Sequence, residues 1–280
     1  MALDRTWYNS LTDDDGSNLV GTLWNKAAVD SLMDAVDAEV LLYPKLPAST
    51  APTTTGTQTA LAIPSGTGDL VLYLNNATLL TIQGIAAGVA NQTLTLVSKG
   101  AGQVDLAHLH ASGTALGKLK LFATSGLTSL AAGSGVAVFE YDATVTQWRL
   151  LAHDQGAWIT PAYAGTDYTA ATGTWTVDSG DVIELRYWLK GRTLFVKVWL
   201  LTTSVSATPA ELRRAIPGGF TVAGNDTITA LQVANAGGGA AVGMVSVGAT
   251  IAFYSSIGGA GWSAATNNTS VNGKFFCEVA

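Results

Sequence analysis

The chain has little charge and almost no cysteine. Only 12% of its 280 residues are Asp, Glu, Lys or Arg, about half the usual share of about 25%. Cys277 is the single cysteine, so no disulfide can form within the chain and no oxidising compartment is indicated. Because so few charges cannot coat a monomer in the ordinary way, the composition predicts either entry into a membrane or extensive burial against other subunits.

Basic character is also lacking, and this bears on partners and targeting. The net charge is −6 and the pI is near 4.9, whereas a nucleic-acid-binding surface needs a basic face. The first residues, MALDRTWYNSLTDDDGSN, are polar and acidic and contain no basic segment followed by an apolar run. We therefore expect no nucleic-acid partner and no signal peptide.

One long uncharged stretch tests the membrane alternative. No charged residue occurs between Asp226 and Lys274, and about 20 apolar residues suffice for a transmembrane helix. The segment GGGAAVG interrupts this stretch, however, and Met244 to Ile251 alternate in a way that is typical of a strand. We expect strands here and no membrane insertion.

Recognisable catalytic motifs are absent from the sequence. It contains no G-x-S-x-G, no H-E-x-x-H and no phosphate-binding loop, and it has three histidines in all. His108 and His110 are the one metal-like pair, because residues i and i+2 share a strand face, and a threefold axis would multiply the two ligands to six. The alternative, which we favour, is a strand end with ordinary surface histidines. We predict no cofactor and no enzymatic activity.

Residues 1–45 form a region of their own. Leu32 and Val36 belong to an apolar stripe with helical spacing, and Pro44 and Pro47 end the pattern. A single helix cannot form a core, so it is expected to pack either on a partner helix or on another protein, and we take residues 1–45 as an anchor segment. The Thr- and Pro-rich residues 46–60 are predicted to be a linker, although such a segment can also run as an extended strand.

The rest of the chain has the pattern of an all-β protein. Strand-sized pieces separated by turn residues recur about every 10–14 residues over positions 61–153, which is near the spacing of a sandwich or barrel. A second β region follows over 154–280, in which VIELRYWL, a KGR turn and TLFVKVWLL predict a hairpin with Phe195, Lys197 and Trp199 on one face. No exact internal repeat is detectable. The predicted fold is mainly β, with the anchor segment followed by two β-sandwich or jelly-roll-like domains.

The tryptophans of the last region allow two interpretations. Core or interface packing is the default for such residues, whereas several exposed rings with polar neighbours would form a platform for sugars. The five tryptophans are Trp158, Trp175, Trp188, Trp199 and Trp262. We take Trp175, Trp188, Trp199 and Trp262 as the candidate contacts for a glycan or receptor.

The stretch FEYDATVTQWRLL, residues 139–151, is predicted to be a hairpin with a polar turn at Asp142 to Gln147. Together with the apolar strands before it, this stretch resembles a β domain of virion structural proteins of tailed bacteriophages. The matching segments are Leu80 to Gly84, Thr93 to Val97, Leu106 to His108, Gly133 to Val138 and Tyr141 to Arg149. The N-terminal segment 1–40 and the segment from YWLKGRTLFVKVWLL to IPGGF resemble the ends of the same proteins.

The resemblance implies a homotrimeric fibre, spike or capsid-decoration protein located in the virion. It implies that the N-terminal segment attaches to capsid or tail proteins. The residues expected to make that attachment are Trp7, Tyr8, Trp24, Leu32 and Val36. Two other functions stay open: a tip that binds a host-surface glycan or receptor, and an enzyme such as a depolymerase, for which the sequence shows no acid–base constellation.

Overall fold

Strands make up about half of the chain that the structure describes. The computed structural model describes residues 55–64, 68–224, 226–238 and 240–280, with the side chains of 226–228 excepted. The prediction of a mainly β protein is confirmed. The helix and anchoring residues predicted within 1–45 lie outside the described residues, as does the first part of the segment 46–60.

Eighteen strands are described, together with three short 3-10 turns at Gly165–Asp167, Ser179–Asp181 and Pro217–Gly219. The strands of the first half are β1 (Gly56–Gln58), β2 (Leu70–Leu74), β3 (Leu80–Ile82), β4 (Thr93–Ser98), β5 (Val104–Leu106), β6 (Lys118–Lys120), β7 (Thr128–Leu130), β8 (Val136–Asp142) and β9 (Gln147–Asp154). The strands of the second half are β10 (Tyr168–Ala170), β11 (Trp175–Thr176), β12 (Val182–Lys190), β13 (Thr193–Val205), β14 (Leu212–Arg214), β15 (Asp226–Asn235), β16 (Ala241–Val247), β17 (Ile251–Tyr254) and β18 (Ala265–Glu278).

The first half begins as a stack of coils with a fixed period. Gly56 pairs with Leu80 and Leu80 with Val104 in parallel ladders, so the register advances by the same step from one coil to the next. On the other side of the stack Leu70 pairs with Leu94, at the same separation along the sequence. We call this constant separation between paired residues of neighbouring coils the coil period. Each coil contributes one strand to a four-stranded sheet and one to the large sheet that runs through the rest of the chain. This is the architecture of a β-solenoid.

The coil period is carried by apolar positions rather than by identical residues. The pairs separated by it include Leu61 and Ile85, Leu72 and Leu96, Leu80 and Val104, and Ile82 and Leu106, and all eight side chains are buried. They belong to one hydrophobic cluster that lies between the two sheets. The sequence prediction of no exact repeat thus missed a repeat of register, because the coils share burial and not residue identity.

The hairpin of β8 and β9 interrupts the stack. The strand order runs β2, β4, β8, β9, and β6 then pairs in parallel with β9. The hairpin therefore lies between β4 and β6, two strands one coil period apart that would pair directly in an uninterrupted solenoid. Phe139, Tyr141, Trp148 and Leu150 all point into the core, as the hairpin prediction required.

The second half is formed by the large sheet and a second core. Its order continues from β12 through β13, β18, β15, β16, β17, β14 and β10, and neighbouring strands in this run are antiparallel. The second hydrophobic cluster is built by these strands, largely from Tyr168 to Val279. The first cluster ends at Leu150 in the sequence, and the second begins at Tyr168 apart from Ala123. The sheet continues from β9 into β12 through the pair Asp154 and Lys190. The domain boundary at residues 153 and 154 stays a prediction.

The uncharged stretch and the end of the segment predicted as a linker both contain strands. Met244 to Val247 belong to β16 and Ile251 begins β17, so the strand prediction is confirmed for these residues, whereas residues 248–250 form a turn between the two strands. Among the described helices, none is long and apolar enough to cross a membrane. The end of the segment predicted as a linker, Gly56–Gln58, is β1 and opens the coil stack.

Candidate ligand-binding surface

The outer face of β12, β13 and β18 carries a row of aromatic side chains. The β12–β13 hairpin turns at Gly191, whose φ of +59° favours glycine, and places Trp188 opposite Phe195. The pairing of β13 with β18 places Phe276 opposite Phe195. Because side chains alternate along a strand, the buried residues Leu194, Val196 and Val198 take the other face. We call Trp158, Trp188, Phe195 and Phe276 the ring row.

The rings of this row are in contact and open to solvent. The ring centres of Trp188 and Phe195 are 5.5 Å apart and nearly parallel, and those of Phe195 and Phe276 are 6.0 Å apart. Trp158 extends the row at 6.1 Å from Trp188. Phe276 is 51% exposed and Trp158 is 37% exposed. Since large apolar side chains are normally covered, a continuous row of them marks an interaction surface.

Polar groups hold one end of the ring row. The indole N–H of Trp188 donates a hydrogen bond of 3.1 Å to Asp154 Oδ1. Asp154 also pairs with Lys190 at 3.6 Å, and the Lys190 ammonium lies 5.9 Å from the Trp188 ring centre. The Trp188 ring is therefore fixed in orientation by a bond at its edge and by its stacking on Phe195.

A second row, of cations, lies beside the ring row. Arg186 pairs in register with Lys197, and Lys197 with Lys274, on three neighbouring strands. These residues are two positions from the rings along each strand, about 7 Å away on the same face. We call Arg186, Lys197 and Lys274 the cation row.

One carboxylate, Glu184, lies against the cation row. Its side chain contacts Lys197 Nζ directly and Arg186 Nε at 3.4 Å. The hydrogen bond from Lys197 lowers the pKa of Glu184 below its usual value, and the charges of Lys197, Arg186 and Lys274 add to this effect. Lys274 itself is exposed and forms no ion pair within the described part of the chain. Three cations thus share one anion, and the row keeps a net positive charge.

A further carboxylate, Glu278, lies on the far side of the ring row. It is two positions beyond Phe276 on β18, so it shares the outer face. Its side chain pairs with Arg192 Nε at 3.2 Å. Because Arg192 balances its charge, Glu278 leaves the positive character of the cation row in place.

The four tryptophans predicted to contact a glycan divide into two groups. Trp188 belongs to the ring row, and Trp199 is 37% exposed on the same face, beyond the cation row and opposite Glu184. Trp175 and Trp262 are buried, and their indole N–H groups donate to Thr203 Oγ1 and to the Phe253 carbonyl. Both rings are therefore absent from the exposed outer face, although Trp175 contributes to the lining of a groove described below.

Sequence reasoning missed several members of the surface. Alternation in β13 did place Phe195 and Lys197 on one face with Trp199, and the KGR turn predicted the β12–β13 hairpin. The contribution of Phe276 and Lys274 depends on β18, which is separated from β13 by four other strands in the chain and pairs with it by tertiary structure alone. No local pattern in the sequence predicts the pairing of β13 with β18.

The two candidate metal ligands do not share a strand face. β5 ends at Leu106, and Leu109 between the histidines has a φ of +40°, which turns the chain. Each imidazole Nδ1 accepts a backbone N–H, that of Leu121 for His108 and that of Ser112 for His110, both at 3.1 Å. Burial lowers the pKa of His108, with Lys120 adding to the effect. No group of three or more metal-ligating side chains occurs among the described residues.

A groove of about 560 Å³ lies apart from the outer face of β12, β13 and β18. Its lining includes Tyr163, Tyr168, Trp175 and Asp178. The Tyr163 hydroxyl donates to the Val177 carbonyl at 2.6 Å. Asp178 and Asp181 cap each other's backbone in a short 3-10 turn, as expected for the DSGD turn. The polar groups of this groove are thus occupied in holding its own backbone, and it lacks the positive charge of the outer face.

The ring row and the cation row lie side by side on the outer face of β12, β13 and β18. The residues expected to anchor the protein, Trp7, Tyr8, Trp24, Leu32 and Val36, lie outside the described residues. Comparisons with protein-family models, with curated proteins and with solved structures give no match to this chain.

Proposed function

We propose that this protein is a structural component of a tailed-bacteriophage virion, of the fibre, spike or decoration type. The resemblance of residues 80–149 to such proteins is the starting point. The observation that supports it is the stack of coils that repeat at a constant coil period. Stacked coils form a stiff element in which each coil contacts its neighbours along one axis, as a shaft or shoulder requires.

In this proposal the chain has three parts. Residues 1–45 attach it to capsid or tail proteins, residues 61–153 form a stalk or shoulder, and residues 154–280 form an outward domain of β-sandwich or jelly-roll-like type. The protein has no catalytic role in this assignment. Release of reducing ends from host capsule by the purified protein would contradict that part of it.

Assembly as a homotrimer would cover apolar surface that a monomer leaves open. Leu79, Leu116 and Leu127 in the first half are each about half exposed. Burying apolar area contributes about 25 cal/mol per Å², and this contribution does not depend on charge. We therefore expect the trimer to be insensitive to moderate salt, because screening acts on charges.

The test of the proposal uses the full chain and the intact particle. Native mass spectrometry should give three times the 28.8 kDa chain mass, with no dissociation between about 0.1 and about 1 M NaCl. Cryo-electron microscopy of phage particles should show its density on the capsid or tail. A monomer, or particles without such density, would overturn the proposal.

A deletion of residues 1–40 tests the anchor separately. We expect the truncated chain to keep its trimer and to lose binding to particles that lack the protein. The full chain added to the same particles is the positive control. Undiminished binding of the truncated chain would show that the attachment lies elsewhere.

A second function, recognition of a host-surface glycan, is favoured by the ring row. Exposed aromatic faces stack on sugar rings, and four of them in contact offer several stacking positions. Phe276→Ser should weaken adsorption of particles to host cells, because Phe276 is the most exposed ring of the row. Unchanged adsorption would argue against a recognition role for this face.

A further inference from the structure

We propose that the outer face of β12, β13 and β18 binds an acidic polysaccharide, with sugar rings stacked on the ring row and carboxylates held by the cation row. This inference rests on the recognition role proposed for the ring row and specifies the chemistry of its ligand. The observation that carries it is the register of the two rows, which run side by side across the same three strands.

The distances allow one ligand to use both rows. Neighbouring strands are about 4.8 Å apart, and the rows are about 7 Å apart along the strands. Lysine and arginine side chains reach several ångströms and stay mobile at their ends. A sugar ring lying over Phe195 or Phe276 therefore places its carboxylate within reach of Lys197 or Lys274.

The exposure of the cations shows that they are free to act on a ligand. The Arg186 side chain is 50% exposed and that of Lys197 is 31% exposed, although both also contact Glu184. Lys274 is exposed and has no ionic partner among the described residues. In a chain with a net charge of −6, three cations in register beside one carboxylate form a locally positive surface that favours an anion.

The contacts of Glu184 show how the cation row binds a carboxylate. Glu184 is bound by Lys197 and Arg186 and feels the charge of Lys274 as well. A ligand carboxylate at the Lys274 end of the row would meet the exposed ammonium of Lys274 beside Lys197, without competing for the site of Glu184. The face thus already holds one carboxylate and has donors left for another.

A second copy of the chain is a less suitable occupant. A twofold contact through this face would bring the two cation rows together, and a threefold axis along it would bring three rows together. Like charges in close register oppose association. The observations therefore favour an anionic ligand over self-association at this face.

The experiment measures binding of the full-length protein to hexagalacturonate and to an α2,8-linked hexamer of sialic acid by isothermal titration calorimetry. The methyl esters of both oligosaccharides are the neutral counterparts, with the same rings and no carboxylate charge. We expect each acid to bind at least tenfold tighter than its ester, and the affinity for the acid to fall as NaCl rises from about 20 to about 200 mM, because salt screens the attraction.

Three variants separate the two rows. Phe276→Ser should lower the affinity for acid and ester alike, because it removes a stacking surface. Lys274→Gln should lower the affinity for the acid several-fold and leave the affinity for the ester unchanged. Lys120→Gln removes the same charge from an exposed position in the coil stack and should change neither.

Each contrary result has its own meaning. Equal binding of acid and ester would overturn the acidic ligand and leave the recognition role in place. Failure of both acids and both esters to bind would overturn the inference together with the recognition role. Equal losses from Lys274→Gln and Lys120→Gln would replace the site by general charge attraction, and a Phe276→Ser protein that no longer forms its oligomer would assign the face to self-association.

Discussion

The indole N–H of Trp148 donates a hydrogen bond of 3.0 Å to the carbonyl oxygen of Ala86, a residue 62 positions earlier in the chain. Trp148 is fully buried, and its ring centre is 5.1 Å from that of Tyr141. The Tyr141 hydroxyl donates in turn to the Leu116 carbonyl at 2.8 Å. The inserted hairpin is therefore bonded to the backbone of the coils on both sides of it.

Replacing Trp148 should loosen the hairpin from the coils. Trp148→Phe keeps an aromatic ring but leaves the Ala86 carbonyl without its donor, at a cost of about 1–3 kcal/mol in the free energy of unfolding. Trp148→Ala adds a cavity and should cost about 3–5 kcal/mol. Urea denaturation followed by circular dichroism measures both. Leu151→Ala, at a half-exposed position on the same strand, should stay within about 0.5 kcal/mol, and an equal loss in this control would contradict the assignment.

The close approach of successive coils predicts a sharp difference between two glycines. A Cβ at Gly102 would lie 2.0 Å from the Thr78 carbonyl oxygen, whereas a Cβ at Gly180 would meet no atom within 4 Å. Gly102→Ala should therefore force the coils apart and cost about 1–3 kcal/mol. Gly180→Ala should be neutral or slightly stabilising, by up to about 1 kcal/mol. Thermal unfolding of the two variants in parallel distinguishes them, and similar melting temperatures would show that the coils are not packed this tightly.

His153 should make the protein sensitive to acid. It is buried, its Nε2 lies 3.0 Å from the Ser129 carbonyl oxygen, and its Nδ1 has no partner among the described residues. Burial lowers the pKa of His153 below its ordinary value. The unfolded chain then binds a proton at a higher pH than the folded one, so stability is complete above about pH 6.5 and falls as the pH drops below it.

The expected slope is at most about 1.4 kcal/mol per pH unit for each such histidine. Urea denaturation at pH 7.5, 6.5 and 5.5 measures it. His153→Gln keeps a donor for Ser129 and should reduce the slope, while the lowered pKa of His108 leaves a dependence of the same sign. His110→Gln is the matched control. A slope that His153→Gln leaves unchanged would assign the acid sensitivity to other groups.

A buried relay of hydrogen bonds in the second core depends on one hydroxyl. Trp175 Nε1–H donates to Thr203 Oγ1 at 2.9 Å, and that hydroxyl donates to the Thr269 carbonyl at 3.0 Å. Thr203→Val has nearly the same shape but leaves both partners unpaired, and it should cost about 1–3 kcal/mol. Thr203→Ser keeps the hydroxyl and loses a methyl group, about 0.8 kcal/mol. Denaturation midpoints in the order wild type, Ser, Val are expected, and a Val variant more stable than the Ser variant would contradict the relay.

The strands that the sequence predicted correctly are those defined by local pattern. The hairpin at residues 139–151 and the β12–β13 hairpin both consist of alternating strands around a short polar turn, which a reader of the sequence can recognise. The faces of β13 followed from alternation alone. The burial of Trp262 did not, because Trp262 lies between β17 and β18, where no strand assigns it a face. Trp175 lies in the alternating segment Thr174 to Val177, in which Trp175 and Val177 are buried and the two threonines are exposed, so its face could have been read from the sequence.

The solenoid was missed for a different physical reason. A coil needs an apolar side chain at each inward position, and Leu, Ile and Val serve equally well, so the residues change while the period stays. A search for apolar positions at a fixed offset, such as Leu70 and Leu94, would have found the coil period. Such a search would not have found the insertion of β8 and β9. The reason is that β6 lies at the sequence position expected for a third coil but pairs with the later strand β9.

That insertion also constrains the order in which the chain can fold. β2 and β4 can pair as soon as residue 98 is available, since their ladder joins neighbouring coils. Among the described strands β6 forms its ladder with β9. Residues 118–120 therefore cannot form this ladder until residues 147–149 have been synthesised. During synthesis the first two coils can therefore close one after the other, whereas the third waits for the hairpin.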